Sequence, residues 1–196
     1  NEINKIALDY PNGNYPMNFI TNHDENSWNG TEYTRFGSVG AVKAMSVLFF
    51  TLPGAPLLYT GQEVGMNKML KFFEKDQVDW VSSPMTAFYT KLISLKSSNA
   101  ALAVGTSAGA LSVVTTNNDG VVAYVRAAAP GSTSKAKVLV AINLTGSTQS
   151  VKLSWGVSAG KLYDYATNKL VTVPSSQSVS IPAFGYKIYT TNQLTN

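Results

Sequence analysis

The sequence predicts a parallel β/α segment followed by an antiparallel β-sandwich, and three observations carry that prediction. Between residues 17 and 60 a short apolar run, a helical stripe and a second short apolar run follow one another at the spacing of a βαβ unit. After Asn99 the texture turns to Val, Thr, Ser, Gly and Ala in short runs separated by turn residues, as in an antiparallel sandwich. The charge shifts over the same stretch: residues 1–80 hold nine acids and six bases, residues 81–196 two acids and nine bases.

Residues 17–21 (MNFIT) are a buried-strand candidate that ends in a polar cluster, Asn22-His23-Asp24-Glu25-Asn26. After the loop at 27–31, Thr31 or a neighbour is expected to cap a helix whose first turn carries Glu32. Phe36, Val39, Val42, Met45, Phe49 and Leu52 recur at steps of three and four, and Leu48 widens the stripe. Pro53-Gly54 ends it. Residues 55–59 (APLLY) form the second strand candidate. Residues 62–82 are an irregular connection rich in Lys, Phe and Glu. Ser83-Pro84 then reads as the N-cap and first residue of a helix, with Met85, Phe88, Leu92 and Leu95 on its inner face and its end near Ser98. Seven strands are expected beyond it, at 111–115, 121–126, 137–143, 151–153, 161–164, 179–181 and 186–190.

The 196 residues suffice for one large domain or two small ones, and 44% apolar residues can bury a sizeable core. Only 13% of residues are charged, which excludes a disordered chain, a coiled coil and a charge-driven tail. A net charge of +4 is too mild to imply nucleic acid. With no cysteine, disulfides, thiolate zinc sites and cysteine nucleophiles are excluded. No apolar run reaches the roughly 18 residues that a membrane span needs, so no membrane partner is expected. The polar opening segment, NEINKIALDYPNG, does not read as a signal peptide; it reads as the middle of a processed or truncated chain.

Reactive groups concentrate in one place. His23, the sole histidine, stands beside Asp24 and Glu25 at the end of a parallel-strand candidate, where α/β proteins bind ligands. By itself the bare pair is weak evidence, since such a pair is more often a satisfied structural contact than a functional one. No second His and no Cys completes a metal site, so no metal is expected in this chain. A Gly-x-Ser-x-Gly elbow is absent, and the glycines at 37–40 and 61–65 match neither a phosphate loop nor a dinucleotide fingerprint. Asn29-Gly30-Thr31 and Asn143-Leu144-Thr145 match the glycosylation sequon.

Several linked motifs resemble the α-amylase family, glycoside hydrolase family 13. FITNHDEN (19–26) is similar to that family's fourth conserved region, whose core is Phe-x-x-Asn-His-Asp. PGAPLLYTGQEVGM (53–66) resembles the segment around its eighth barrel strand. FFEKDQVDW (72–80), the helix FYTKLISLKSSNAAL (88–102) and SIPAFGYKIY (180–189) resemble, in order, a loop, the last helix before domain C and the closing strand of domain C. The likeness runs from about Pro16 to Tyr189.

The resemblance implies the C-terminal quarter of a (β/α)8 barrel over residues 1–99, holding the seventh and eighth β/α units, and a C-terminal β-sandwich over residues 100–196. Its strands would be 17–24 and 55–60, its helices 33–52 and 84–98. By resemblance Asp24 is the third catalytic carboxylate, which grips sugar hydroxyls and helps distort the reacting ring. His23 donates hydrogen bonds to the same sugar, and Asn22 and Trp28 join them as substrate-binding residues. An oxocarbenium-like transition state rewards a nearby anion and such contacts. Retention needs two further carboxylates about 5 Å apart, and in the family these lie on the fourth and fifth strands. Neither Glu25 nor Glu63 matches them.

The implied parent is a retaining hydrolase of α-1,4-glucans such as starch or maltodextrin, secreted or periplasmic, with calcium allowed in the parent and no cofactor in this piece. The piece alone is expected to be inactive and to self-associate through its incomplete barrel. The rivals are a carbohydrate-binding or accessory module, and a glucosidase, transglycosylase or isomerase on the same barrel. Trp28 and Tyr33 either stack on a sugar or pack under the loop. Glu63 is expected to brace its loop, Trp80 to pack in the core or at an interface, and Trp155 and Tyr163 to pack rather than form a second sugar platform.

Overall fold

The computed structural model describes Tyr10 and residues 13–194, so all but Tyr10 and Gly13 of the polar opening segment lies outside the described residues. Strands β1 (Met17–Asn18) and β2 (Ala55–Pro56) pair in parallel, with Met17 opposite Ala55. Both are shorter than the apolar runs that predict them. Each has only the other as partner among the described residues, and at the two ends of the ladder Ala55 N–H donates to Pro16 O (2.9 Å) and Leu57 N–H to Asn18 O (2.8 Å). Gly54, at φ +122°, is required here: a Cβ would lie 2.6 Å from Pro16 O.

Four helices follow this order: α1 (His23–Trp28), α2 (Glu32–Phe36), α3 (Val39–Thr51) and α4 (Pro84–Ser98). Thr31 and Ser83 cap α2 and α4 as predicted, each hydroxyl accepting a backbone N–H. The single helix expected over 33–52 is instead two. Gly37 takes a left-handed φ of +80° and closes α2, and the Ser38 hydroxyl caps α3.

The strands β3 (Ala110–Val114), β4 (Val121–Ala127), β5 (Lys137–Asn143), β6 (Gln149–Ser154), β7 (Gly160–Asp164), β8 (Leu170–Val173), β9 (Ser176–Ile181) and β10 (Tyr186–Thr190) make two antiparallel sheets. One has six strands in the order β3-β4-β5-β10-β7-β8, and the other pairs β6 with β9. Strand β8 has no counterpart in the sequence reading. It is a four-residue edge strand with an exposed Leu170, and its pairing with β7 defines it. Beyond residue 104, among the described residues, the only helix is in single 3-10 turns at Gly105–Ser107 and Gly156–Ser158.

The central strands β4 and β5 of the six-stranded sheet are buried on both faces, and the period of two sorts their side chains. Tyr124, Val138, Val140, Ile142 and Ile188 face α3 and α4, meeting Val42, Val47, Phe50, Leu92 and Leu95 in one core. The alternate residues Ala123, Val125, Leu139 and Ala141 face β6 and β9, meeting Val151, Leu153, Trp155 and Ile181 in a second. The first core therefore runs unbroken across residue 99.

The outer flank of α3 is different. Met45, Leu48 and Leu52 are half-buried and border an open apolar depression with Met17, Phe19 and Ile20. Val39, counted in the predicted stripe, is exposed in the first turn of α3.

A buried cation ties the sheet to α3. Arg126 is fully buried, and its guanidinium donates to Thr51 O at the end of α3 (2.9 Å), Gly109 O (3.1 Å) and Ala110 O (3.4 Å). The negative end of the helix dipole suits that charge, and burial lowers its pKa to about 10. Lys96 donates to Gly54 O (2.8 Å), and burial, then Arg126, lowers it to about 8. A lysine whose pKa falls on folding holds its proton less well in the native state. Its contribution to stability therefore improves as pH rises from about 8 towards the unfolded value of about 10.4.

Candidate functional site

Helix α1 carries the reactive cluster. Its N-cap Asn22 accepts Glu25 N–H through Oδ1 (2.8 Å), and Asp24 and Glu25 occupy the first turn, where acids complement the helix dipole. Asn22 and Asp24 therefore start a helix here instead of extending β1 to residue 24. The expected strand 17–24 is corrected to two residues plus a helical turn. The Asn22 oxygen already accepts one bond as a cap, which leaves its second lone pair and its amide nitrogen for other contacts.

His23 and Asp24 are both mostly exposed, with Nε2 and Oδ2 3.6 Å apart, too long for a hydrogen bond. Asp24 is thus an open carboxylate. Glu25 is committed elsewhere: it accepts from Arg35 (2.9 Å) and from Asn29 Nδ2 (3.2 Å), while Arg35 also donates to Ile20 O (3.3 Å).

Trp28 is 60% exposed at the end of α1. Its ring lies 5.5 Å from that of Phe72 and 6.2 Å from that of Phe73, and Phe72 stacks on His23 at 6.1 Å and 26°. Tyr33 instead packs against the first core, and burial, then Glu32, pushes its phenol up to about 12. Of the two aromatics weighed as sugar-stacking residues, Trp28 is the one presented to solvent.

The loop that brings Phe72 and Phe73 here is welded to α1. Buried Asn26 donates Nδ2–H to Lys68 O (3.1 Å) and accepts Leu70 N–H (2.8 Å), and Ser27 Oγ–H donates to Leu70 O (2.8 Å). Asp76 closes the loop by accepting from Lys68 Nζ and from the N–H groups of Lys71 and Gln77. Those bonds, led by the Lys68 one, lower its carboxyl to about 2. Sequence reasoning missed Asn26, Phe72 and Phe73. The adjacent phenylalanines in a charged, irregular segment were the available signal.

The loop after β2 is braced by Gln62, not by the side chain of Glu63. Gln62 Oε1 accepts Tyr59 N–H (3.1 Å), and its amide donates to the Tyr89 hydroxyl (2.7 Å), which also bonds Ser46 (2.9 Å). Glu63 contributes its backbone carbonyl, which accepts from Thr86 (2.9 Å). Glu32 is buried beside this network with Oε1 unpartnered, and desolvation raises its pKa.

Of the two places expected for Trp80, the core is corrected. Trp80 is 63% exposed, because the 66–82 segment is held by polar bonds at the surface and not by the core. Trp155 packs in the second core. Of the two sequons, Asn143 is fully buried, donating to Ser147 O, Ile181 O and Pro182 O, so the folded chain offers it to no glycosylating enzyme. No helix among the described residues is long and apolar enough to cross a membrane.

No protein-family model and no curated protein matches the sequence. Solved structures do. The maltogenic α-amylase AmyB of Thermotoga neapolitana aligns over 96% of this chain and 44% of its own, at 16% identity and a TM-score of 0.74. The α-amylase of Geobacillus thermoleovorans, solved with acarbose, aligns over 88% of this chain and 38% of its own, at 20% identity and a TM-score of 0.65. The cyclomaltodextrin glucanotransferase CldA, described as having a three-domain ABC distribution, aligns over 99% of this chain and 39% of its own, at 20% identity and a TM-score of 0.69. The chain thus spans about two-fifths of the length of these structures. Over nearly all of its length it has the fold found in α-amylases and a cyclomaltodextrin glucanotransferase, the likeness that its sequence motifs also carry.

Proposed function

We propose that this chain is the C-terminal portion of a retaining, α-amylase-like glycoside hydrolase acting on α-1,4-glucans. The observation that carries the reading is Asp24, an open carboxylate beside His23 on the short helix that follows β1, in a chain with an amylase-type fold. The relative solved with acarbose, a pseudo-oligosaccharide, supports an α-glucan ligand.

In this reading residues 1–99 are the seventh and eighth β/α units of a barrel and residues 100–196 its C-terminal sandwich. Asp24 grips hydroxyls of the sugar undergoing reaction, and its charge opposes the positive charge that grows on the ring in the transition state. His23 and the Asn22 amide donate to the same sugar. The nucleophile and the acid/base belong to the rest of the enzyme. Among the described residues no three Asp, Glu or His side chains gather into a group that could hold a metal ion.

The test is turnover of maltoheptaose. The 196-residue chain is expected to release no reducing ends, and the whole enzyme is expected to release them with the α-anomer formed first. Turnover by the chain alone overturns the assignment of the missing carboxylates. The likeness to a glucanotransferase keeps a second reading in view: cyclic or lengthened glucans in place of reducing ends identify a transferase.

The open flank of α3 and the two short parallel strands leave an apolar surface that a closed barrel covers. We therefore expect the isolated chain to self-associate through residues 17–60. Sedimentation across a dilution series checks this, and a monomer at high concentration contradicts it.

A further inference from the structure

We propose that Trp28, Phe72 and Phe73 form a preorganised aromatic shelf that binds pyranose rings of an α-glucan next to Asp24. The proposal rests on the glucan reading and adds to it a loop, residues 68–77, that supplies the binding surface.

Phe73 is 85% exposed, the most open aromatic side chain among the described residues, and Phe72 is partly open beside it. Their rings meet edge to face at 4.8 Å, and both lie within 6.2 Å of Trp28. Three large rings presented to water form a contiguous apolar patch, which soluble proteins retain mainly where something binds.

The shelf is not loosely held. The bonds of Asn26 and Ser27 to Lys68 and Leu70 fasten the loop to the same helix that bears His23 and Asp24, and Phe72 stacks directly on His23. Shelf and carboxylate are therefore carried on one hydrogen-bonded helix-and-loop unit, which lowers the ordering that a ligand must impose.

Charge selects the class of ligand. Lys68 is paired with Asp76, Lys71 with Glu74 and Arg35 with Glu25. Asp24 and Lys75 carry the remaining charges, of opposite sign. A shelf without excess charge suits a neutral molecule with a flat apolar C–H face and a hydroxylated edge. A pyranose has that shape: its face packs on the rings, while its hydroxyls reach Asp24, His23 and the polar rim.

The experiment is affinity electrophoresis of the 196-residue chain in gels containing amylopectin, with maltoheptaose titration followed by Trp fluorescence. Phe73→Ala is the first variant: at 85% exposure and outside both cores, it removes no core packing. Phe73→Trp is the conservative partner, and Asp24→Asn reports the carboxylate separately. We expect Phe73→Ala to weaken retardation and maltoheptaose affinity by roughly tenfold, the loss typical of a truncated hot-spot aromatic, and Phe73→Trp to restore both.

Two results overturn the shelf. If the wild type binds α-glucan and Phe73→Ala and Trp28→Ala bind it equally well, the rings are not the platform, and the glucan reading stands. If the wild type ignores α-glucan but binds cellohexaose in a Phe73-dependent way, the α-glucan assignment falls for shelf and enzyme alike.

Discussion

Replacing Asp24 by Asn is expected to lower kcat of the whole enzyme on maltoheptaose by about two to three orders of magnitude, with a much smaller change in KM. The magnitude is that of removing one preorganised electrostatic contact to a developing charge. Asn keeps the size and hydrogen-bonding capacity of Asp but not its charge, so ground-state contacts with hydroxyls largely survive. The stabilisation lost is the part that exists only when the ring becomes cationic, and such a loss appears in kcat. The fold predicts no confounding destabilisation. Asp24 is mostly exposed, and His23 Nε2 lies 3.6 Å from its Oδ2, too far for a hydrogen bond. The melting temperature of the variant should match the wild type. Near-normal turnover removes Asp24 from the catalytic machinery, and a raised KM at unchanged kcat reduces it to a binding residue.

Arg126→Ala is expected to destabilise the chain by about 3 kcal/mol or more, because a fully buried guanidinium is the donor for three carbonyls. Two of those carbonyls precede or begin β3, and the third ends α3. The substitution leaves them without their donor in a dry interior and opens a cavity beside Tyr124. For a chain of this size, 3 kcal/mol corresponds to a fall in melting temperature of roughly 6–12 °C. Arg126→Met fills most of the space but donates nothing, so it should recover only the packing part of the loss. Arg126→Lys restores one donor in place of a fork and should lie between Met and wild type. A melting temperature within a degree or two of wild type in the alanine variant shows that water or a shifted side chain replaces the guanidinium.

Much of the architecture is legible because local chemistry and tertiary demand agree. Ser83-Pro84 starts α4 where a cap and a proline should start it. KVLVAIN (137–143) reads as a strand and forms one. In the NHDEN cluster the two disagree with the simplest reading. An apolar run followed by polar residues suggests a strand with a functional end, but Asn22 can accept its own Glu25 N–H, and that local bond turns the chain into a helix.

Most of the elements, the change from β/α to all-β texture, and the grouping of Asp24 with His23 are legible locally, because each depends on residues within a few positions of one another; strand β8 and the helix α1 are not. Which aromatics meet His23 and Asp24 depends on contacts between distant parts of the chain. Phe72 and Phe73 lie more than forty residues along the chain from Trp28, and what joins them is the amide of Asn26 bonding both ways across the gap. Tertiary structure likewise decides that Trp80 stays outside while Arg126 goes inside, against the usual preference of both residue types. A side chain's burial follows from what its backbone is tied to. The 66–82 loop is tied to a surface helix, whereas Arg126 stands on a central strand facing the carbonyl end of α3.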